Sequence, residues 1–301
     1  MSGVKQVNAN ELTSQFDSFL FDADGVLWLA DTPLPGARDL LQYLITAGKN
    51  VFITTNNATK TLEDYVKKCK RIGFDMVPDD HIISPGKVLA NMLAKENSNL
   101  PVYIAGSTAL QKELKNEGVE SFGTGPDPIE SYTDCGFIHD IDISKRVRAV
   151  VASYDIHMSY AKVMRAANYI KQPGVRFYAT NEDATVPGPK SGVIVPGSGV
   201  NVKAVKTAAG KDPIVIGKPG KAMFEYIRDK FNIEAERTVI FGDRCETDIK
   251  FGHTNGLKSV LVGTGVHDIE KVKEFERDGC KDLIPDYYIP SLKVLFDMLK
   301  K

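Results

Sequence analysis

Two carboxylates close an apolar run near the start of the chain, Asp22 and Asp24 in "SFLFDADG" (18–25). Two more, Asp243 and Asp248, follow another apolar run much later in the sequence. A buried carboxylate without a partner is costly, so acids that end hydrophobic segments indicate a cation beside them. Carboxylate oxygens are the hard ligands that magnesium prefers. The sequence therefore predicts that Asp22, Asp24 and Asp243 meet around a divalent metal ion, with Asp248 on the next turn.

A hydroxyl, an amide and an ammonium group complete the set. Thr55 and Asn56 come at the end of "NVFITT" (50–55), and Lys218 follows "PIVIG" (213–217). The threonine hydroxyl and the lysine ammonium can hold phosphate oxygens. Phosphoryl transfer needs mainly positioning and charge neutralisation, and a carboxylate can serve as its nucleophile through an aspartyl-phosphate. Together with the acids, these residues predict phosphoryl-transfer chemistry.

Each of these residues stands at or just after the end of a short apolar run, and the runs alternate with segments of helical spacing such as 37–48 and 61–73. This alternation predicts βαβ units and a parallel sheet. Ligands of an open parallel sheet bind outside the carboxyl ends of its strands. A single Asp or Thr at a strand end is usually a turn former or a helix cap. Their joint placement on successive strand ends instead indicates one site.

The composition excludes several classes of partner. With 38 basic and 39 acidic residues in 301, the formal net charge is −1, which favours neither nucleic acid nor an anionic membrane surface. No apolar run approaches the roughly 18–20 residues of a membrane span, and residues 1–18 lack a signal-peptide pattern. These absences predict a cytoplasmic protein. The four cysteines lack C-x-x-C spacing, so neither a zinc site nor a disulfide framework is indicated.

Four segments, in this order, resemble the motifs of the haloacid dehalogenase superfamily: "FDADGVLW", "FITTNNATK", "GKP" and "FGDRCETD". The resemblance covers nearly the whole chain and is fullest to the eukaryotic phosphoglycolate phosphatases, also described as 4-nitrophenyl phosphatases. Pyridoxal phosphate phosphatases are close cousins. It implies an α/β fold with a Rossmann-like parallel-sheet core and an inserted α/β cap of the C2 type. The implied activity is Mg²⁺-dependent hydrolysis of small phosphate monoesters through an aspartyl-phosphate.

The same resemblance implies roles for the residues that handle the phosphoryl group. Asp22 is the nucleophile, and Asp24 is the general acid for the leaving alkoxide and then the base for the hydrolytic water. One carboxylate can serve both steps because the second reverses the proton flow of the first. Thr55, with Asn56 beside it, binds phosphate. Lys218 pairs with the nucleophile and the phosphate.

For the metal, the resemblance implies three ligands and one supporting acid. The ligands are Asp22, the main-chain carbonyl of Asp24, and Asp243. Asp248 matches an acid that orients the water molecules of the metal.

The segment between the second and third motifs is too long for a single crossover. We expect the strand at 101–106 and the helix after it to finish the core sheet. An inserted cap then spans residues 119–211, and the core consists of 1–118 and 212–301. A cap of this kind excludes water and completes the site.

Cap residues are expected to select the substrate, and the candidates are Asp155, Asn181, Asp183 and the loop that continues through Lys190. Relatives that act on pyridoxal phosphate carry His and Trp in the loop matching 183–188, and neither occurs here. This favours 2-phosphoglycolate-like or broad small phosphomonoesters and leaves pyridoxal phosphate as the alternative. The resemblance also implies a homodimer formed through the cap.

Two further alternatives remain open. A non-catalytic phosphate-ester sensor or scaffold could share the fold, although a pure binder would not need Asp24. Cys245, which lies between the acids of the fourth motif, is interpreted as an inert neighbour, with a redox-sensitive thiol as the competing hypothesis. The glycine pairs at 197–199 and 263–265 are interpreted as turn residues, since neither completes a dinucleotide-binding or Walker pattern.

Overall fold

The computed structural model describes residues 4–129, 136–186 and 192–300. The described chain packs into two compact units. The first draws on Met1–Thr55, Leu62–Ser84 and Lys218–Lys301, and the second on Asn56–Thr61 and Pro85–Gly217. Within the described ranges, no helix has the length and apolar character needed to span a membrane.

The strands, in chain order, are β1 (Lys5–Gln6), β2 (Ser18–Asp22), β3 (Trp28–Leu29), β4 (Thr32–Pro33), β5 (Asn50–Thr54), β6 (Ile82–Ile83), β7 (Val102–Ala105), β8 (Ser121–Phe122), β9 (Ala149–Ala152), β10 (Arg176–Ala179), β11 (Thr185–Val186), β12 (Val195–Pro196), β13 (Ile214–Val215), β14 (Thr238–Gly242), β15 (Lys258–Val262) and β16 (Tyr287–Ile289). The α-helices are α1 (Ala9–Gln15), α2 (Ala37–Thr46), α3 (Leu62–Ile72), α4 (Pro85–Ala94), α5 (Thr108–Asn116), α6 (Phe137–Asp140), α7 (Tyr160–Lys171), α8 (Ser198–Ala209), α9 (Ala222–Phe231), α10 (Lys250–Asn255), α11 (Ile269–Arg277) and α12 (Leu292–Leu299).

The first unit is built on a seven-stranded sheet in the order β1-β16-β15-β14-β2-β5-β6. Every pairing in it is parallel. The central strands are apolar almost without interruption, as expected where a parallel sheet is buried on both faces. Phe21 of β2 pairs with Phe241 of β14, and their rings stack with centroids 4.7 Å apart. This register brings the carboxyl ends of β2, β5 and β14 to one edge of the sheet.

The second unit contains a parallel sheet in the order β13-β10-β9-β7-β8. Helices α7 and α8 pack against each other beside it, and their apolar residues join those of the strands in one core. Both units therefore confirm the predicted α/β class with parallel sheets.

The prediction that the strand at 101–106 finishes the core sheet was wrong. Val102–Ala105 pairs with β9 and β8 in the second sheet instead of finishing the first. The strand that follows β5 at the edge of the first sheet is β6, a pair of isoleucines too short to be distinguished as a strand in the sequence. The chain passes from one unit to the other at 55/56, 61/62, 84/85 and 217/218. The cap limits expected from the sequence, 119–211, stay a prediction. That the second unit acts as a cap stays a prediction.

Candidate active site

Lys218 lies at the centre of the polar residues of the first unit. Its Nζ atom is 2.5 Å from Oδ1 of Asp22 and 2.6 Å from Oδ1 of Asp248, and it donates to the carbonyl oxygen of Thr54 at 3.3 Å. The side chain is 1 % exposed. Burial lowers the pKa of Lys218, but the charges of Asp22 and Asp248 outweigh it and leave that pKa raised. The lysine is therefore a fixed positive charge.

Three acids form a cluster beside this lysine. Asp22, Asp243 and Asp248 each offer a carboxylate oxygen, and these oxygens all lie within 4.8 Å of one another. Burial raises the pKa of Asp22 well above its ordinary range, and the charge of Lys218 offsets only part of that rise. Burial and then the charge of Asp248 raise the pKa of Asp243 to about 6. Three clustered carboxylates outnumber the one ammonium that contacts two of them, and hard oxygen donors at this spacing fit a divalent cation.

Glycines allow the backbone to close around Asp243. A Cβ atom on Gly25, whose φ is +92°, would lie 2.3 Å from Oδ2 of Asp243, and one on Gly265 would lie 1.8 Å from the same oxygen. The amide of Val266 donates to that oxygen at 2.9 Å, and Thr264 Oγ1 donates to the carbonyl of Gly25 at 2.6 Å. The 263–265 segment thus belongs to the site, which the sequence reasoning missed. Its position directly after β15, at the same sheet edge, was the available signal.

Asp248 is held by the turn on which it lies. Residues Cys245–Ile249 form a π-helical turn, and the amide of Arg244 donates to Oδ2 of Asp248 at 3.2 Å. The hydroxyl of Thr247 donates to the same oxygen at 3.2 Å. A Cβ atom on Gly242 would lie 2.0 Å from that of Asp248, so β14 has to end in glycine for this turn to approach. One carboxylate oxygen therefore faces the turn and the other faces Lys218.

Asp24 has contacts that the sequence did not predict. Its Oδ1 atom accepts a hydrogen bond from Nε1 of Trp28 at 3.0 Å and lies 3.9 Å from Nζ of Lys68. Trp28 stands in the first motif, but the motif gave no reason to assign it a polar contact. Lys68 carries no sequence signal, because a lysine on an amphipathic helix is usually solvated. Here it is 4 % exposed.

Thr55 is buried at the end of β5, next to the acid cluster along the sheet edge. Its amide donates to the carbonyl of Ile83 at 3.0 Å, and its side chain is hydrogen-bonded to the hydroxyl of Tyr65 on α3. Burial raises the pKa of Tyr65, so the phenol stays protonated. The predicted phosphate-binding residues Thr55 and Lys218 both belong to the first unit together with the predicted metal ligands.

Asn56, the next residue along the chain, belongs to the second unit. Its Nδ2 atom donates to Oδ2 of Asp183 at 3.2 Å, and Nδ2 of Asn181 donates to the carbonyl of Asn56 at 2.7 Å. The amide of Asp183 in turn donates to Oδ1 of Asn181 at 3.1 Å. The structure thus joins three predicted residues in one network. Lys190, predicted in the same loop, lies outside the described residues.

Asp155 is engaged within the second unit. Its Oδ2 atom lies 2.6 Å from Nζ of Lys162, and its Oδ1 atom accepts from the amide of His157 at 2.8 Å. The side chains of Asp155 and Lys162 are 2 % and 1 % exposed. Because both carboxylate oxygens already have partners, the geometry gives no support to the predicted substrate-selecting role of Asp155.

Cys245 is completely buried, and its amide donates to Nδ1 of His267 at 3.1 Å. Burial raises the pKa of its thiol to about 12. A thiol that stays protonated and inaccessible is a poor nucleophile. The environment therefore supports the inert interpretation of this cysteine.

Comparison with known proteins places these features in a family. A family model described as haloacid dehalogenase-like hydrolase matches residues 19–120, and one described as HAD-hydrolase-like matches 215–295. A putative NipSnap protein of Caenorhabditis elegans is 47 % identical over 261 residues, which are 85 % of this chain but only 50 % of that protein. The human glycerol-3-phosphate phosphatase is 36 % identical over 302 residues, 97 % of this chain and 94 % of that protein.

Solved structures that match this chain include phosphatases. A 4-nitrophenylphosphatase from Thermotoga maritima superposes with a TM-score of 0.78 at 26 % identity, covering 95 % of this chain and 98 % of that one. A glycerol phosphate phosphatase from Mycobacterium tuberculosis in complex with magnesium has a TM-score of 0.75 at 25 % identity, covering 97 % and 78 %. With a relative of 36 % identity along almost its full length, this chain belongs to the haloacid dehalogenase-like hydrolases, among the phosphatases of that family.

Proposed function

We propose that this chain is a Mg²⁺-dependent phosphatase that hydrolyses small phosphate monoesters through a phosphorylated Asp22. The observation that carries the proposal is a cluster of three carboxylates with ligand oxygens within 4.8 Å of one another, two of which contact the buried ammonium of Lys218. Such a cluster has an excess of negative charge until a cation joins it. Lys218 and a divalent cation together would balance the three carboxylates, so that the phosphate of the substrate no longer meets a net negative site.

The residues divide the chemistry between two steps. In the first, an oxygen of Asp22 attacks phosphorus, the ester P–O bond breaks, and Asp24 gives a proton to the departing alkoxide. In the second, water attacks the phospho-aspartate, Asp24 takes the proton of the water, and inorganic phosphate and Asp22 are regenerated. Throughout, the Thr55 hydroxyl and the Lys218 ammonium hold phosphate oxygens. Positioning of this kind supplies most of the rate enhancement in phosphoryl transfer.

For the metal, we propose Asp22, the carbonyl of Asp24, and Asp243 as ligands, with Asp248 orienting bound water. A divalent ion held by these residues would neutralise charge on the phosphoryl group. Magnesium is supported by the all-oxygen donor set and by the magnesium complex of the Mycobacterium tuberculosis phosphatase.

The substrates that we propose are small alkyl phosphates, 2-phosphoglycolate and glycerol phosphate, with 4-nitrophenyl phosphate as an artificial substrate. The names of the relatives support the last two. The sequence of the 183–188 loop supports a preference over pyridoxal phosphate. A homodimer formed through the predicted cap and a cytoplasmic location remain predictions.

The test is a comparison of kcat/KM for 2-phosphoglycolate, glycerol 3-phosphate, pyridoxal phosphate and 4-nitrophenyl phosphate, with and without EDTA. We expect hydrolysis that EDTA abolishes and Mg²⁺ restores, and at least one alkyl phosphate ahead of pyridoxal phosphate. A preference above tenfold for pyridoxal phosphate would reverse the substrate order. Binding of these esters without turnover at saturating Mg²⁺ would instead favour the sensor alternative.

A further inference from the structure

The surroundings of Asp24 contain two residues that the chemistry above does not use. Trp28 donates a hydrogen bond to Oδ1 of Asp24 at 3.0 Å, and the ammonium of Lys68 lies 3.9 Å from the same oxygen. We propose that Trp28 and Lys68 are positioning residues that hold the Asp24 carboxyl group for proton transfer to the leaving group. This inference rests on the proposed function of Asp24 as the general acid.

Trp28 is a fixed donor. It is completely buried, and its ring meets that of Phe74 edge-on, with centroids 5.3 Å apart and an interplanar angle of 72°. Its backbone is equally constrained, since its amide donates to the carbonyl of Ala23 at 3.1 Å and its carbonyl accepts from the amide of Gly25 at 2.8 Å. An indole N–H held on both sides in this way points in one direction, and that direction is Asp24.

Lys68 reaches the same oxygen from α3. The buried face of this helix includes Tyr65, Lys68 and Cys69. The ammonium of Lys68 lies 4.5 Å from the centre of the Trp28 ring as well as 3.9 Å from Asp24. A buried lysine is stabilised by an anion and by the face of an aromatic ring. Lys68 thus packs against Trp28 and supplies positive charge on the Oδ1 side of the Asp24 carboxylate.

Trp28 and Lys68 both contact Oδ1 of Asp24, so we assign Oδ2 to the proton transfer. Oδ2 of Asp24 has no hydrogen-bond partner within residues 4–129, 136–186 and 192–300. As the bond from Asp22 to phosphorus forms and the ester bond breaks, the proton moves from Oδ2 to the leaving oxygen. The negative charge left on the Asp24 carboxylate then faces the N–H of Trp28 and the ammonium of Lys68.

A leaving-group comparison separates this role from simple structural support. Nitrophenolate departs without a proton, whereas an alkoxide needs one, so only alkyl esters require the acid during phosphoryl transfer. The parameter kcat/KM reports the steps up to the first irreversible one. The test compares kcat/KM for 4-nitrophenyl phosphate with kcat/KM for two alkyl esters, glycerol 3-phosphate and 2-phosphoglycolate. The proteins compared are the wild type, Trp28→Phe and Lys68→Met.

We expect kcat/KM of both variants to fall about 10- to 100-fold on the alkyl esters and less than about 3-fold on 4-nitrophenyl phosphate. The fall on the alkyl esters would be part of the roughly 10²- to 10⁴-fold rate gain that a general acid supplies. Tyr65→Phe is the matched control. This change removes a hydroxyl from the same face of α3, but that hydroxyl contacts Thr55 and not Asp24. The fall in kcat/KM should therefore be equal for both classes of ester. Inhibition by inorganic phosphate should be unchanged in Trp28→Phe and Lys68→Met.

Equal losses on both ester classes, or no loss, in folded Trp28→Phe and Lys68→Met would overturn the inference. Weaker inhibition by phosphate in Lys68→Met would also overturn it, since Lys68 would then be a phosphate ligand. If Trp28→Phe does not fold, Lys68→Met decides alone, because it keeps the length of the side chain and removes only the charge. A wild-type protein that hydrolyses none of the three esters contradicts the proposed function itself, and the inference with it.

Discussion

The two units compensate their buried charges in different ways. In the first unit, Asp22, Asp243 and Asp248 form a cluster, and two of these acids, Asp22 and Asp248, contact the ammonium of Lys218. In the second, Asp155 faces Lys162 one to one, and a backbone amide takes its other oxygen.

In sequence the two regions look alike, because each places an aspartate at or soon after the end of an apolar strand. The structure separates them by charge balance. An excess of buried acid indicates a cation that the protein itself does not supply, whereas a balanced buried pair is complete without a ligand. The first arrangement is expected at a binding or catalytic site, and the second in a structural core.

The largest expected effect is that of Asp22→Asn in the acid cluster of the first unit. Removal of the proposed nucleophile should lower kcat on 4-nitrophenyl phosphate by about 10⁴-fold or more, as the loss of a residue that forms the covalent intermediate does in other hydrolases. The side chain keeps its shape, so the folded state should persist. Initial rates and circular dichroism spectra measure the two effects.

The matched control is Asp297→Asn, the same change in an exposed ion pair with Lys293 on α12. It should keep wild-type activity within about twofold, since exposed pairs contribute roughly 0–1 kcal/mol. A folded Asp22→Asn variant with activity near wild type would remove Asp22 from the mechanism and reduce the acid cluster to a binding site.

A large stability effect is expected in the second unit. Lys162→Met leaves the Asp155 carboxylate buried without its partner, so the free energy of unfolding should fall by about 3–5 kcal/mol. Denaturation with urea measures it. The variant Asp155→Asn/Lys162→Met should recover part of the loss, because no charge then remains buried at that position.

Lys293→Met in the exposed pair is the reference, and it should cost less than about 1 kcal/mol. A loss below that in Lys162→Met would mean that the buried pair is no more important than a surface pair. The contrast between the units would then rest on the acid cluster alone.

Metal addition tests the charge excess in the first unit. Burial and then Asp248 raise the pKa of Asp243 to about 6, above the ordinary value of 3.8. A raised carboxyl pKa contributes stability that is full below the ordinary value and is lost as pH rises through about 6. The metal-free protein should therefore lose stability between pH 4 and pH 7, and Mg²⁺ should restore it there.

The measurement is Tm by differential scanning fluorimetry, with EDTA and with Mg²⁺, across that pH range. The increase in Tm on adding Mg²⁺ should be larger at pH 7.5 than at pH 5, where protons compete for Asp243. In Asp243→Asn this increase should shrink at pH 7.5. An equal increase at both pH values in the wild type would argue that the metal binds elsewhere.

The sequence predicted which residues share one edge of the first sheet, because strand ends are easy to locate. A parallel sheet aligns them, so Asp22, Thr55 and Asp243 could be placed together without coordinates. The α/β class followed from the same alternation of elements. Local patterns were sufficient wherever the fold itself determines which residues are neighbours.

Other features depended on packing that the pattern does not encode. The two-residue β6 is defined only by its pairing with β5, so the strand at 101–106 was assigned to the wrong sheet. Lys68 is buried because Trp28 and Asp24 surround it, and a helical pattern alone makes it a surface residue. The pairing of Asp155 with Lys162 is equally invisible in sequence, since nothing distinguishes a paired acid from a free one.

The smallest expected effect concerns the cysteines. Burial raises the pKa of Cys69 to about 11 and that of Cys245 to about 12, whereas Cys280 is partly exposed. Brief iodoacetamide treatment of the native protein at pH 8 should therefore label Cys280 well before Cys69 or Cys245, because the thiolate is the reacting species. Peptide mass spectrometry gives the order, and denatured protein serves as the control in which all sites react. Early labelling of Cys245, accompanied by loss of activity, would restore the redox hypothesis and show that the edge of the first sheet opens more readily than its packing indicates.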